Sequence, residues 1–388
     1  MLSIYFNLII FTIIMLYLIF RLYLKIFHPF WSIQPVYHFY DIHYSLYEPS
    51  IINSHMPIIN KYVNLLNIKT DYINKFNKDM LSNICSFLQK HYLRSTNINY
   101  LPDNDHIIEP LSNNNSSIIS LYYNPDLIDK EIKGIITARP LNIIFNKIKN
   151  NNYKLPIYYV DNLCIHSLYR KQGIAQQLIQ TIYYKLCHLN KKSCICLFKR
   201  ENNLTAISPL VLYKSYLYPI PSDIILENKI YKIFSVNSNN INYFYNFIKL
   251  HIKEFDVFIF PEIYSILSSI NNNYFSFYML SLDNEIVAVY GYKNSNTYYN
   301  KDLIIECFFS LFDKSKITSE DFIWGYWKSL ASFNKNLLAK YMIIENIGYN
   351  IYIQSLLGIT SISGSPNAYF LYNYIHPPIS PNNIMIII

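Results

Sequence analysis

Several familiar functional signatures are absent from this chain, and each absence removes a class. The six cysteines, Cys85, Cys164, Cys187, Cys194, Cys196 and Cys307, form no C-x-x-C pair, so a structural zinc site is not expected. Their scatter fits reduced thiols in a cytosolic compartment. Cys194 and Cys196 alternate along a predicted strand and fall on one face as core residues. The basic residues are spread along the chain and not gathered on one face, which argues against a nucleic-acid binder. No Ser/His/Asp or Cys/His arrangement can be assembled for nucleophilic catalysis. Glycine and proline are scarce, at 7 and 17 residues, beside an excess of Ile, Asn, Tyr and Lys. That bias is the imprint of an AT-rich genome, so composition is discounted as a guide to function. What remains plentiful is apolar surface. With 388 residues and 52% hydrophobic content, two domains and a large core are expected, and global disorder is excluded. The formal charge of +8 would suit a polyanionic ligand, and an abundance of lysine explains it equally well.

From Leu2 to Phe20 only Ser3, Asn7 and Thr12 interrupt an apolar run. About 20 helical residues cross a hydrocarbon core of roughly 30 Å. No small-residue cleavage site follows, which weighs against a removable signal peptide. Arg21, Lys25 and His28 lie after the run, and the positive-inside rule then keeps the rest of the protein on the cytosolic side. The expectation is a single-pass anchor over residues 1–28.

Beyond the anchor the same order of elements occurs twice. Strands are predicted at Ser116–Tyr123 and Glu131–Thr137, a hairpin around residues 124–130. Ile157–Ile165 follows, then a helix from about Gly173 to His188 and a strand at Ser193–Lys199. The second set is Tyr274–Leu282, Glu285–Tyr292, Asp302–Phe309, a helix from about Ser319 to Phe333, and Leu338–Glu345. Equivalent strands are offset by roughly 145–155 residues, the size of a domain. Lys199–Asp223 reads as the crossover. The expected fold is α/β (α+β): two halves, 29–220 and 221–388, sharing one extended mixed sheet. In the first helix Ile174, Leu178, Ile182 and Leu186, with Ala175 and Ile179, form the sheet-facing stripe, while Gln176, Gln180 and Lys185 are expected in solvent.

The stretch that carries chemistry runs from Tyr159 to Ala175. A strand ends at Ile165, and a short loop with Arg170, Lys171, Gln172, Gly173, Ile174 and Ala175 opens the helix. Such a loop aims several backbone N–H groups at one point, with the helix dipole behind them, and Gly173 lacks the Cβ that would hold a phosphate away. The corresponding turn in the second half, Asp313–Asp321, has no glycine and ends in acids, so one anion site per chain is expected.

In this setting the sequence resembles the GNAT acyltransferase superfamily, and further segments narrow the resemblance to the N-myristoyltransferases, which are fused double-GNAT enzymes. Phe30-Trp31-Ser32-Ile33-Gln34-Pro35-Val36 is similar to the family's Phe-Trp-x-x-Gln-Pro-Val. Gly134 to Ile143 is similar to Gly-Phe-Ile-Ser-Ala-x-Pro-x-Asn-Ile. Asn162-Leu163-Cys164-Ile165-His166 resembles Phe-Leu-Cys-Val-His, and Tyr369 to Tyr374 resembles Tyr-Tyr-Leu-Tyr-Asn-Trp. The matches are collinear from residue 30 to the end.

The resemblance implies transfer of a long-chain acyl group, myristoyl in the first instance, from acyl-CoA to the N-terminal glycine amine of a peptide. No permanent cofactor is implied. It places Phe30, Trp31, Leu163, Cys164, Ile165 and residues 170–175 against acyl-CoA. It makes the backbone amides of Asn162 and Leu163 an oxyanion hole, and a carboxylate at Ile388 the base. Transfer is direct, so Cys164 is no nucleophile. A monomer is expected.

Three departures put the acceptor in question. The pyrophosphate loop, Arg170-Lys171-Gln172, is less basic than the family's. The family's Gly-Asp-Gly reads Ser363-Gly364-Ser365, and its Arg-Tyr-Trp-His corresponds to Val211-Leu212-Tyr213-Lys214. The competing expectations are therefore a shorter acyl-CoA or a different amine, and a catalytically inactive membrane scaffold. An anchored, divergent, AT-rich version of the family points to a viral source.

Overall fold

The computed structural model describes residues 2–41, 44, 46–92, 97–123, 131–146, 153–201, 207–222 and 229–388. The expected turn at 124–130 lies outside these residues, as does part of the crossover. In chain order the first elements are α1 (Leu2–Phe27), β1 (Ser50–Ile51), β2 (Ile68–Tyr72), α2 (Lys78–His91), β3 (Ile98–Tyr100) and α3 (Asn104–Ser112). Then come β4 (Ile118–Tyr123), β5 (Ile132–Phe145), β6 (Tyr153–Ile165), α4 (Ile174–Asn190), β7 (Cys196–Glu201) and β8 (Val211–Pro219). The second half holds β9 (Lys232–Ser235), α5 (Ile241–His251), β10 (Val257–Phe260), α6 (Ile263–Asn271), β11 (Ser276–Leu282), β12 (Glu285–Tyr299) and β13 (Asp302–Phe312). It ends with α7 (Ser319–Asn334), β14 (Tyr341–Glu345), α8 (Asn350–Leu356), β15 (Ser363–Tyr372), β16 (Tyr374–Ile375) and β17 (Ile384–Ile386).

The repeat is present. β4-β5-β6-α4-β7 recurs as β11-β12-β13-α7-β14, each unit made of two antiparallel pairings followed by a parallel one, β6 with β7 and β13 with β14. Both units belong to one mixed sheet of 15 strands. They are interlaced. β8 follows β7 in the chain yet pairs with β14, and β15 follows β14 yet pairs with β7, while β8 and β15 pair with each other at the centre.

β5 is much longer than its predicted Glu131–Thr137. Its outer edge is shared: β4 pairs with it up to Ala138 and β10 from Asn142 onward. Pro140 lies in the gap between these two partners, where a strand tolerates a residue without an N–H. β12 is built alike, taking β11 up to Tyr292 and β3 from Thr297.

α4 and α7 cover the same face of the sheet. α4 packs its Ile174, Leu178, Ile182 and Leu186 stripe on Ile136, Ala138, Tyr158 and Cys196. A Cβ on Gly134 would come within 2.9 Å of Leu178 Cδ1, so a glycine there lets helix and strand approach. Gln180 departs from expectation: it is buried. The outer side of α4 is covered by the chain around Asn64, which donates its backbone N–H to Thr181 Oγ1 (3.0 Å) and its Nδ2 to Gln177 Oε1 (2.7 Å). All six cysteines are free and buried.

The two outer motif segments of the sequence meet. Tyr372 donates its hydroxyl to Gln34 Oε1 (2.5 Å), and the Asn373 N–H donates to Pro35 O (2.6 Å). α1 has the length and apolarity to cross a membrane over Tyr5–Phe27, with mean hydropathy 2.1.

Candidate functional site

On the sheet face opposite α4 and α7 lies a cavity of about 1550 Å³. That exceeds the ~300–1,000 Å³ usual for one small ligand and leaves room for two substrates. One end is the turn into α4. Lys171 and Gly173 take positive φ, 63° and 81°, so the chain reverses into the helix through left-handed backbone. The first amide to find an intrachain acceptor is that of Gln177, which donates to Gly173 O at 3.1 Å. Among the described residues, none accepts from the amides of residues 170–176. A Cβ at Gly173 would meet only Gln176 Oε1, at 3.7 Å, so the space before it is open. Arg170 is tethered by Nη2 to His91 O (2.7 Å) and by Nε to Ile165 O (3.4 Å), which fixes the turn against the end of α2. Lys90, Arg170 and Lys171 line this end and make it basic.

β6 and β7 pair only over Tyr158–Val160 and Cys196–Phe198, and both run on past that point. They splay, and the cavity enters between them. There β6 bulges: Ile135 faces Cys164 and Thr137 faces Asp161, leaving Asn162 and Leu163 opposite the single residue Ile136. Asn162 carries the strain of the bulge at φ 53°. Its Nδ2 donates to Thr137 Oγ1 (3.1 Å), which donates to Asp161 O (3.1 Å). The Asn162 N–H, expected to be an open donor, is instead held by its neighbour's carboxylate, at 2.7 Å from Asp161 Oδ1.

The other sequence-predicted residues divide. Leu163, Cys164, Ile165, Arg170, Lys171, Gly173, Ile174, Ala175 and Ile388 line the same cavity. Burial pushes the Cys164 thiol up to about 12, which keeps it protonated and inert. Phe30, Trp31 and Gln172 are not among the lining residues. Phe30 is buried against Tyr62 (ring centroids 5.0 Å), and Trp31 stacks on Phe198 on the α4 side of the splay. The Gln172 side chain donates to Leu168 O (3.4 Å). His166 is structural: its Nδ1 accepts from the Leu168 N–H (3.2 Å).

The floor holds charges that sequence patterning does not single out. Lys199 Nζ lies 2.8 Å from Glu345 Oε1 and 3.2 Å from Glu201, and the Tyr213 hydroxyl donates to Glu345 (2.9 Å). Burial alone would lower the Lys199 pKa, but Glu345, Tyr213 and Glu201 outweigh it and hold the ammonium well above its ordinary value. Burial would raise Glu345, and the Lys199 charge overrides that and keeps the carboxyl ionised. Replacing Lys199 by Met would strand the Glu345 carboxylate and is expected to cost about 3–5 kcal/mol in urea unfolding. The pair replacement Lys199→Met with Glu345→Leu should recover most of that loss.

Further along, Lys293 pairs with Glu306 (3.2 Å) and donates to Ile388 O (3.3 Å). Residue 388 reaches the cavity because β17 runs parallel to β10 at the sheet edge, with the Ile387 N–H bonded to Ile259 O (2.8 Å). Asn367, 2% exposed on β15, donates to Ser215 Oγ, while among the described residues its own Oδ1 has no partner.

Two α/β units in one interlaced sheet, the first splayed between β6 and β7 with an open turn into α4, make up the tandem GNAT-like fold. The chain is similar in structure to N-myristoyltransferase of Saccharomyces cerevisiae with bound myristoyl-CoA, at TM-score 0.76 and 13% identity, covering 93% of this chain and 99% of that one. A second structure, of the same yeast enzyme with myristoyl-CoA and inhibitors, gives TM-score 0.74 at 14% identity over 94% and 95%. The fold is therefore the N-myristoyltransferase fold, at a sequence distance where the likeness speaks for architecture alone. No protein-family model matches the sequence, and no curated protein matches it.

Proposed function

We propose that the chain is an acyl-CoA-dependent N-acyltransferase, with myristoyl transfer to an N-terminal glycine amine as its reaction. The observation that carries this reading is the run of amides at 170–176 that no described residue engages, at the end of the cavity that also receives Ile388. Those amides and the helix dipole would hold the CoA diphosphate. The pantetheine arm would run through the splay of β6 and β7 and bring the thioester to the bulge. The yeast structures, with myristoyl-CoA bound, make that donor the first to try.

The amine nitrogen attacks the thioester carbon, the C–N bond forms and the C–S bond breaks. The amine's proton passes to a carboxylate and on to the departing thiolate. That carboxylate is assigned to Ile388, on the premise that the chain ends there. Lys293 steadies it in a dry place. An α-carboxyl near ~3.5 is a poor base for an ammonium near ~8, and desolvation brings the two together. Asn367 Oδ1 offers an acceptor for a substrate N–H further along the floor.

Asp161 has a defined part in this scheme. While its carboxylate holds the Asn162 amide, one of the two oxyanion donors is closed. The arriving ammonium draws the carboxylate away and opens it. Asp161→Ala should therefore raise the acceptor KM about tenfold, ~1.4 kcal/mol, with kcat held or increased. A fall in kcat at unchanged KM would contradict this role.

The anchor belongs to the same proposal: α1 spans a membrane and leaves the catalytic body on the cytosolic side with Arg21, Lys25 and His28. The test of the whole is a transfer assay with acetyl-, decanoyl- and myristoyl-CoA and a glycine-initiated peptide. Amide formation rising with chain length supports the reading. Transfer from acetyl-CoA alone would favour the shorter-donor alternative. The closed Asn162 amide speaks for the inactive scaffold, which absence of transfer from every donor would select.

A further inference from the structure

α1 does not stand clear of the body. Arg21 Nη1 pairs with Asp41 Oδ1 at 2.5 Å, the Tyr17 hydroxyl reaches Tyr40 O at 3.5 Å, and the Phe20 and Tyr40 rings meet edge to face at 5.6 Å. These contacts fix residues 40–41 level with the third quarter of the helix. The stretch before Arg21, Leu2–Phe20, is about 28 Å of helix at ~1.5 Å per residue, close to the ~30 Å of a hydrocarbon core. The Arg21–Asp41 pair then marks the polar boundary of the bilayer, and whatever lies beside it lies at the lipid surface.

Next to the pair, and past the end of the helix about 9 Å further on where the headgroups lie, apolar side chains are exposed. Phe39 is 66% exposed next to Tyr40. The segment at 58–66 is brought to the foot of the helix by the Tyr62 ring against Phe30, and it is fixed to α4 through Asn64. It presents Ile58 at 82% and Leu66 at 94% exposure. Lys61 lies between them, its Nζ 5.1 Å from the Tyr62 ring, and Lys25 and His28 close the helix. Bare aliphatic side chains with interleaved lysine, and tyrosine at the boundary, match a surface immersed in headgroups.

We infer that the body itself docks on a phospholipid bilayer containing anionic lipid, through Phe39 and residues 58–66, and is not merely tethered above it. This rests on the anchor reading given above. It would hold the first turns of α4, where Asn64 meets Gln177 and Thr181, at a fixed height above the membrane surface.

Because the native cysteines are buried, a single introduced thiol can be labelled with a polarity-sensitive nitrobenzoxadiazole probe. Leu66→Cys, Ile58→Cys and, as a control in the second half, Leu338→Cys (79% exposed) would be made in the full chain. Each would be reconstituted into 4:1 phosphatidylcholine–phosphatidylserine vesicles. The expected result is a blue-shifted emission and at least a fivefold loss of quenching by aqueous iodide at 58 and 66, with neither change at 338. Vesicle flotation with iodide access at 58 and 66 equal to that at 338 would overturn the inference and leave the anchor standing. Failure to float would remove the anchor reading, and the docking with it. Protection that vanishes on dilution into excess lipid would mean a second copy covers the patch, which also overturns it.

Discussion

Three residues added after Ile388 are expected to lower turnover at least about 100-fold, ~2.7 kcal/mol in the barrier, with acyl-CoA affinity unchanged. The geometry behind this is specific. Residue 388 is nearly buried, Lys293 donates to its carbonyl oxygen, and β17 seats the tail beside β10 through three paired residues. A longer chain would replace the carboxylate proposed for residue 388 by a neutral amide at the same place. It would also push new side chains into the acceptor space. The diphosphate turn at 170–176 lies at the other end of the cavity and should not sense the change. Unchanged turnover would remove the terminal carboxylate from the mechanism and leave the base to be sought among the floor carboxylates, Asp161 first.

Gly173→Asp is expected to weaken acyl-CoA binding about 100-fold, ~2.7 kcal/mol by calorimetric titration. Two effects add. A side chain at φ 81° strains the backbone by roughly 1–2 kcal/mol, and a carboxylate at this helix start opposes the diphosphate. Gly173→Ala separates them, because it carries the strain without the charge and should lose about tenfold. Wild-type affinity in both variants would mean that the turn holds no phosphate.

Much of the frame could be read from the sequence because repetition and periodicity are properties of single strands and helices. The unit β4 to β7, its second copy, and the turn at Gly173 were all visible as local patterns. The interlacing was not. Nothing in Val211–Pro219 or Ser363–Tyr372 says that each pairs with the other half, because strand exchange is decided by partners far away in the chain. The long extensions of β5 and β12 escaped for the same reason, each being completed by a strand of the opposite half.

Site residues followed the same division. The loop is local and was legible, whereas Asn162 and Leu163 were pointed to by the resemblance and not by any local pattern. Lys199, Glu345, Lys293 and Glu306 sit on different strands and become a cluster only when β7, β14, β12 and β13 line up. A single signal was present: isolated charges, Lys293, Glu306 and Glu345, on strands otherwise rich in Ile, Tyr and Phe. The motif segment Phe30–Val36 was legible as a pattern, and the structure gives it a packing role, bonded to Tyr372 and Asn373.

Hydrogen exchange of the backbone amides at 170–176, followed by mass spectrometry with and without myristoyl-CoA, bears most directly on the proposed donor site. Among the described residues none accepts from these amides, so they should exchange fast in the free protein and slow sharply when the donor is added. Exchange unaltered by saturating myristoyl-CoA would contradict the assignment.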